Sequence, residues 1–101
     1  MSTSTLRLFI EEQAELAGVY TNTAVAVAVA ESNLIWNAKN PKSSASGVYQ
    51  WISGSWNSIC KPLGFENVFN PVENIKCAIN TLKEPQGEKH WESSSFAWRM
   101  Q

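Results

Sequence analysis

A run of small apolar residues over positions 24–30 restricts the fold more than any other feature of the sequence. Alanine and valine alternate along it, which fits the two-residue period of a β-strand, but such a strand would have no polar face. Alanine favours a helix, and Thr21, Asn22 and Thr23 offer side chains that can cap a helix start. We therefore predict a helix that is buried on all sides.

Helices are also predicted on both sides of this run. Ser4 is the expected cap of a first helix, and Gly18 suits its end. After a polar loop over 37–46, a third helix is expected to open near Gly47 and to reach Cys60.

The fourth helix has the clearest start signal. Asn70 is a good N-cap, Pro71 fits the first helical position and Glu73 fits the third. Residues 85–87 are expected to end this helix, and a short helix is expected in the segment that follows. The chain is therefore predicted to be all-α, or α with minimal β, and to form a single domain over residues 1–101.

Charge and hydropathy exclude several classes of protein. Eight basic and nine acidic residues give a formal net charge of -1, so the chain has no electrostatic signature of nucleic-acid binding. The longest apolar run, 24–30, is far shorter than a membrane span. The polar start of the chain shows no basic segment followed by an apolar one, so no signal peptide is predicted in it.

The carboxylates of this chain are all glutamates, because it contains no aspartate. Mechanisms that require an aspartate, such as Ser-His-Asp catalysis, are therefore excluded. Glu31 stands apart because it directly follows the apolar run. Burial there would raise the pKa of its carboxyl group and keep it protonated near neutral pH, as a general acid requires. The alternative that the residues leave open is a solvated glutamate at a helix end.

Two cysteines and one histidine are too few for a closed four-ligand zinc site without help from glutamate. We predict no metal and no cofactor. A disulfide between Cys60 and Cys77 is favoured over two unpaired thiols, provided that the compartment is oxidising.

Five tryptophans are a high number for a chain of 101 residues. They are compatible with a tryptophan-rich core. They are equally compatible with a cleft lined by flat rings, which pack well on the C–H surfaces of sugars.

Several short motifs follow one another in a defined order. In chain order they are Glu31-Ser32, Gly47 with Gln50, Trp56, and Asn70-Pro71 with Asn74 and Ala78. In this order and spacing the set resembles the soluble lytic transglycosylase (SLT) domain of the lysozyme-like superfamily, over residues 22–84. The chain departs from the family at Thr81, where an aromatic residue is usual. It also lacks the later Ala-Tyr-Asn-x-Gly motif, whose place is taken by residues 90–98.

The resemblance implies a compact lysozyme-like helical domain with a substrate cleft, and an enzyme that cleaves peptidoglycan. It implies that Glu31 protonates the glycosidic oxygen between N-acetylmuramic acid and N-acetylglucosamine, and then accepts the proton of the muramic acid C6 hydroxyl. That hydroxyl closes onto C1 and gives a 1,6-anhydro product. One carboxylate then suffices, whereas ordinary glycoside hydrolysis needs two.

Six further residues are predicted to contact the substrate. They are Ser32, Tyr49, Gln50, Trp51, Asn74 and Trp91. Gln50 is the polar contact expected beside the acid. Structural roles stay open for the others: a helix-end serine at Ser32, a helix-surface residue at Asn74, and core packing for one of Tyr49 and Trp51.

Two other functions stay open at this stage. A lysozyme-type hydrolase (muramidase) would need a second carboxylate, for which Glu88 and Glu92 are the candidates. A non-catalytic glycan-binding module, or a small helical interaction domain, would use its tryptophans for binding or for the core. The expected partner is the glycan strand of peptidoglycan. The expected location is extracellular, periplasmic, cell-envelope or virion-associated, with a place in a larger exported or phage protein left open.

Overall fold

The apolar run forms a helix at the centre of the protein, as predicted. In the computed structural model, which describes residues 1–99, helix α2 spans Thr21–Ser32. Residues 24–28 are buried, but Val29 is 41% exposed, so the helix is covered over most of its surface and not on all sides. Neither α2 nor any other helix in this part of the chain is long and apolar enough to cross a membrane.

Helix α1, Thr3–Ala17, packs against α2 through an apolar stripe. The fully buried residues of this stripe are Leu6, Ile10 and Ala14. The Ser2 hydroxyl caps the helix by accepting a hydrogen bond from the Thr5 N–H at 3.1 Å, so the cap lies two residues before the predicted Ser4. Gly18 ends the helix in the left-handed conformation, with a φ of 75°, as expected.

The third helix begins later than predicted. Residues 33–52 form an irregular loop that contains two isolated antiparallel bridges at Ser46. Gly47 and Gln50 have φ values of 81° and 54°, which a continuous right-handed helix does not allow. Helical structure therefore starts only at Ser53. It consists of α3, Ser53–Ser55, a π-helical turn, Trp56–Cys60, and a 3₁₀ turn, Lys61–Leu63.

Helix α4, Pro71–Lys83, begins as its start signal predicts. The Asn70 side-chain oxygen accepts hydrogen bonds from the N–H groups of Val72 and Glu73 at 3.0 and 3.2 Å. The helix packs against α1, and residues 87–98 form a tail that packs against α2 and α4. This tail consists of a 3₁₀ segment, Gly87–Ser94, and helix α5, Ser95–Trp98. The predicted all-α fold is confirmed.

Asn74 of α4 is fully buried and ties the irregular loop to the helices. Its side-chain oxygen accepts a hydrogen bond from the Tyr49 N–H at 2.9 Å. Its side-chain nitrogen donates to the carbonyls of Ser46 and Val68 at 3.2 and 2.8 Å. A Cβ at Gly47 would lie 2.2 Å from that nitrogen, so only a glycine fits against it. One amide therefore fixes three backbone positions.

The predicted disulfide between Cys60 and Cys77 is present, with the two Cα atoms 5.7 Å apart. It joins the end of the π-helical turn to α4, and both cysteines are fully buried. In the chain-entropy model, closing a loop of this length stabilises the fold by roughly 3 kcal/mol.

Replacing Asn74 with alanine tests the role of this amide. The variant leaves the Tyr49 N–H and the Val68 carbonyl without this partner and removes one of the two donors to the Ser46 carbonyl, so we expect the free energy of unfolding to fall by about 3 kcal/mol or more. The measurement is chemical denaturation. Asn80→Ala, on the same helix but only half-buried, is the matched control and is expected to cost less than about 1 kcal/mol. An equal loss of unfolding free energy in the two variants would contradict the role of the Asn74 amide in holding the loop.

Candidate active site

Glu31 lies in the last turn of α2, half-buried at the side of a cleft of about 490 Å³. The irregular loop and the tail form the walls of this cleft. The loop contributes Asn40, Ser43, Gln50 and Ile52, and the tail contributes His90 and Trp91. Among the described residues that line the cleft, Glu31 is the only carboxylate.

Burial raises the pKa of the Glu31 carboxyl group above the ordinary value of a glutamate, because the ionised form loses its hydration. A hydrogen bond with the Ser94 hydroxyl favours the ionised form and acts in the opposite direction, but it is the smaller of the two effects. The carboxyl group therefore stays protonated to a higher pH than usual. This is the state from which a general acid works.

His90 is the other titratable side chain at the cleft. Its ring packs against the rings of Trp51 and Trp91, with a centroid distance of 4.9 Å to each. This partial burial lowers the pKa of His90, because the charged imidazolium loses hydration. The ring is therefore mostly neutral at neutral pH and adds little positive charge beside Glu31.

Gln50 is held at the cleft by the loop itself. Its side-chain nitrogen donates to the carbonyls of Ala38 and Gly47 at 3.0 and 2.9 Å. Because both partners are acceptors, the amide nitrogen has to face them. The side-chain oxygen accepts no hydrogen bond from residues 1–99, so it remains available to a hydroxyl or N–H group of a ligand.

Four of the predicted substrate contacts are buried behind the cleft. They are Ser32, Tyr49, Trp51 and Asn74. The hydroxyls of Ser32 and Tyr49 each donate to a backbone carbonyl, at 2.7 and 2.6 Å. The indole N–H of Trp51 donates to the backbone carbonyl of Asn74 at 3.2 Å. In this structure the four residues therefore brace the walls of the cleft and do not line it.

The tail supplies Trp91 and a part of the site that sequence reasoning missed. Trp91 lines the cleft, and its indole N–H donates to the Tyr49 carbonyl at 2.9 Å. The indole N–H of Trp98 in turn donates to the Trp91 carbonyl at 3.1 Å. Ser94 lies beside Glu31, although nothing in the sequence distinguishes it from the serines on either side.

The tryptophans are mostly core residues. Four are buried: Trp51, Trp56, Trp91 and Trp98. Trp36 is 40% exposed. Of the two interpretations that composition left open, the tryptophan-rich core therefore accounts for four of the five rings, and Trp91 also borders the cleft.

The two glutamates considered as partners of Glu31 lie elsewhere. Glu88 lines a different surface pocket, together with Tyr20 and Trp98. Glu92 is exposed and forms an ion pair with Arg99 at 3.0 Å. Neither lies among the residues that line the Glu31 cleft.

A metal site is not present among residues 1–99. No three histidine, cysteine or acidic side chains in this range lie close enough to hold a metal ion. Both cysteines are used in the disulfide.

The raised pKa of Glu31 predicts a pH-dependent cost to stability. Because the folded state disfavours the ionised carboxyl group, the free energy of unfolding should fall as the pH rises from the ordinary glutamate range through the raised pKa. Glu31→Gln should therefore be more stable than the wild type at pH 7, and the gap should narrow below about pH 4. Chemical denaturation at pH 7 and below about pH 4 measures this difference in the free energy of unfolding. Glu12→Gln, on the exposed face of α1, controls for the lost charge. An equal difference in stability between Glu31→Gln and the wild type at both pH values would contradict the prediction.

No curated protein and no solved structure matched the chain. A family model described as the transglycosylase SLT domain matches residues 8–97, which is most of the chain. The match includes most of α1 and most of the tail, which lie outside the range of the sequence motifs. The chain therefore belongs to the transglycosylase SLT domain family.

Proposed function

We propose that this protein is a peptidoglycan lytic transglycosylase in which Glu31 is the single catalytic acid and base. One observation carries the proposal: within residues 1–99, Glu31 is the one carboxylate that lines the cleft, and burial raises its pKa. Family membership supports cleavage of glycosidic bonds in peptidoglycan. The substrate is the β-1,4 bond between N-acetylmuramic acid and N-acetylglucosamine.

The first step uses the protonated form of Glu31. Its proton moves to the glycosidic oxygen, the bond from that oxygen to C1 breaks, and the bonding electron pair leaves with the N-acetylglucosamine oxygen. Positive charge develops at C1 while Glu31 becomes a carboxylate. The half-buried position of the carboxyl group supports this step, because it raises the pKa of Glu31 and so favours the protonated form to a higher pH than is usual for a glutamate.

The second step regenerates the acid. The muramic acid C6 hydroxyl attacks C1, and its proton passes to the Glu31 carboxylate. The product is a 1,6-anhydro sugar, and no water enters the reaction. A second carboxylate is not required, because the substrate provides the nucleophile. This agrees with the positions of Glu88 and Glu92 away from the cleft.

The other predicted site residues take two roles in this proposal. Gln50 and Trp91 contact the glycan, Gln50 through its available side-chain oxygen and Trp91 through its edge at the cleft. The buried residues position these two indirectly. They are Ser32, Tyr49, Trp51 and Asn74. The reaction needs no cofactor.

The place of action follows from the substrate. We propose that the chain acts as one SLT domain on the glycan strands of the cell envelope, in an extracellular, periplasmic or virion-associated setting. The buried disulfide supports an oxidising compartment, because such bonds persist where thiols are not kept reduced.

Glu31→Gln tests the proposed role of the carboxyl group. Glutamine keeps the shape of the side chain but cannot donate and then recover a proton. We expect the release of muropeptides from purified peptidoglycan to fall by a factor of about 10²–10⁴. Mass spectrometry of the wild-type products should show muropeptides that are lighter by one water than those of a hydrolase. Glu92→Gln, an exposed glutamate outside the cleft, is the control and should act like the wild type.

The outcomes separate the competing functions. Wild-type activity in Glu31→Gln would contradict the assignment of Glu31. Products with the mass of hydrolysed muropeptides would indicate a muramidase. Binding of glycan strands without release of any muropeptide would indicate a binding module.

A further inference from the structure

Ser94 is the residue of the tail that reaches the carboxyl group of Glu31. Its side chain is half-buried at the end of the 3₁₀ segment, next to Ser93, which lines the cleft together with Glu31. A hydrogen bond from Ser94 acts on the Glu31 carboxyl group. The same hydroxyl donates to the Trp91 carbonyl at 3.1 Å. A serine hydroxyl has one proton, so it can donate to only one of these two acceptors at a time.

The charge of Glu31 decides which acceptor receives the proton. A hydrogen bond to a charged group is about twice as strong as one between neutral groups. A neutral Glu31 therefore leaves the Ser94 proton on the Trp91 carbonyl, whereas an ionised Glu31 attracts it. The carbonyl is not stranded when the proton leaves, because it still accepts from the Trp98 indole N–H at 3.1 Å. The exchange leaves no buried acceptor without a partner.

We propose that Ser94 is a positioning residue that stabilises the Glu31 carboxylate during turnover by turning its hydroxyl proton from the Trp91 carbonyl to Glu31. The inference rests on the proposed function, because the carboxylate forms only when Glu31 gives its proton to the glycosidic oxygen. When Glu31 regains a proton from the C6 hydroxyl, the Ser94 proton returns to the Trp91 carbonyl. Ser94 forms and breaks no covalent bond. It also gives the tail a role in a chain that lacks the family motif usual in this region.

The remaining charges around Glu31 do not offer an equivalent contact. His90 lines the cleft but is mostly neutral at neutral pH, because its pKa is lowered. On the elements that surround Glu31, some of the other charges are engaged elsewhere: Lys39 with the carbonyls of Asn40 and Ser43, Arg7 with Glu11, and Glu92 with Arg99. The rest lie outside the lining of the cleft: Glu12, Glu15, Lys42, Glu88 and Lys89. Ser94 is therefore the donor to Glu31 that the described structure provides.

Three variants test the proposal. Ser94→Ala removes the hydroxyl, Ser94→Thr keeps it, and Ser95→Ala removes a hydroxyl from the next residue as a matched control. In Ser94→Ala we expect kcat to fall on the order of tenfold with little change in KM, since one hydrogen bond to a charged group is lost. The pH at which activity falls on the alkaline side should move upward, because Glu31 loses a contact that favours its ionised form. Ser94→Thr and Ser95→Ala should match the wild type.

A second readout does not depend on activity. The carbon-13 resonance of the Glu31 carboxyl group, followed by NMR against pH, reports its pKa directly. We expect a higher pKa in Ser94→Ala than in the wild type, with Ser94→Thr and Ser95→Ala unchanged. An unchanged pKa in Ser94→Ala, or the same shift in Ser94→Thr, would overturn the proposal. Muropeptides with the mass of hydrolysed products, by contrast, would overturn the proposed function. The NMR titration would still show whether Ser94 lowers the pKa of Glu31.

Discussion

The structure depends on the burial of helix α2, in which the seven residues 24–30 are all alanine or valine. Because this run has no polar face, other elements have to cover it, and α1 and the tail do so over most of its surface. Glu31 lies in the last turn of this helix, so the burial that stabilises the fold also removes water from one side of the carboxyl group. The burial that stabilises the fold is therefore also what raises the pKa of the proposed acid, and it costs some stability at pH values where the carboxyl group ionises.

Asn74 supplies the second constraint. The loop over 33–52 contains left-handed residues and only isolated bridges, so regular backbone pairing cannot hold it. A buried amide replaces that pairing and fixes the positions on both sides of Gly47. Gln50 is placed at the cleft as a result. The indole N–H of Trp91 then attaches the tail to the same loop through the Tyr49 carbonyl, and Trp91 lines the cleft together with Glu31.

Much of the fold could be predicted because its signals are local. The left-handed glycine after α1 and the Asn70 cap act within a few residues of the helix ends that they define. The late start of α3 could not be predicted, because the left-handed backbone at Gly47 and Gln50 belongs to a loop that is held at the Tyr49 N–H by Asn74, a side chain 25 positions further along the chain. At the site, the apolar run before Glu31 indicated a raised pKa, and the structure agrees. Ser94 escaped prediction, because its contact with Glu31 arises only when the irregular tail folds back onto α2.

In the proposed mechanism, one half-buried carboxyl group acts as both acid and base while the substrate supplies the nucleophile. The source of the oxygen in the product tests it most directly. Peptidoglycan is digested in water enriched in oxygen-18, and the new muramic acid ends are analysed by mass spectrometry. We expect anhydro ends that contain no label, because no water takes part in the proposed reaction. Ends that carry one labelled oxygen would contradict it and would show that water, not the C6 hydroxyl, attacks C1.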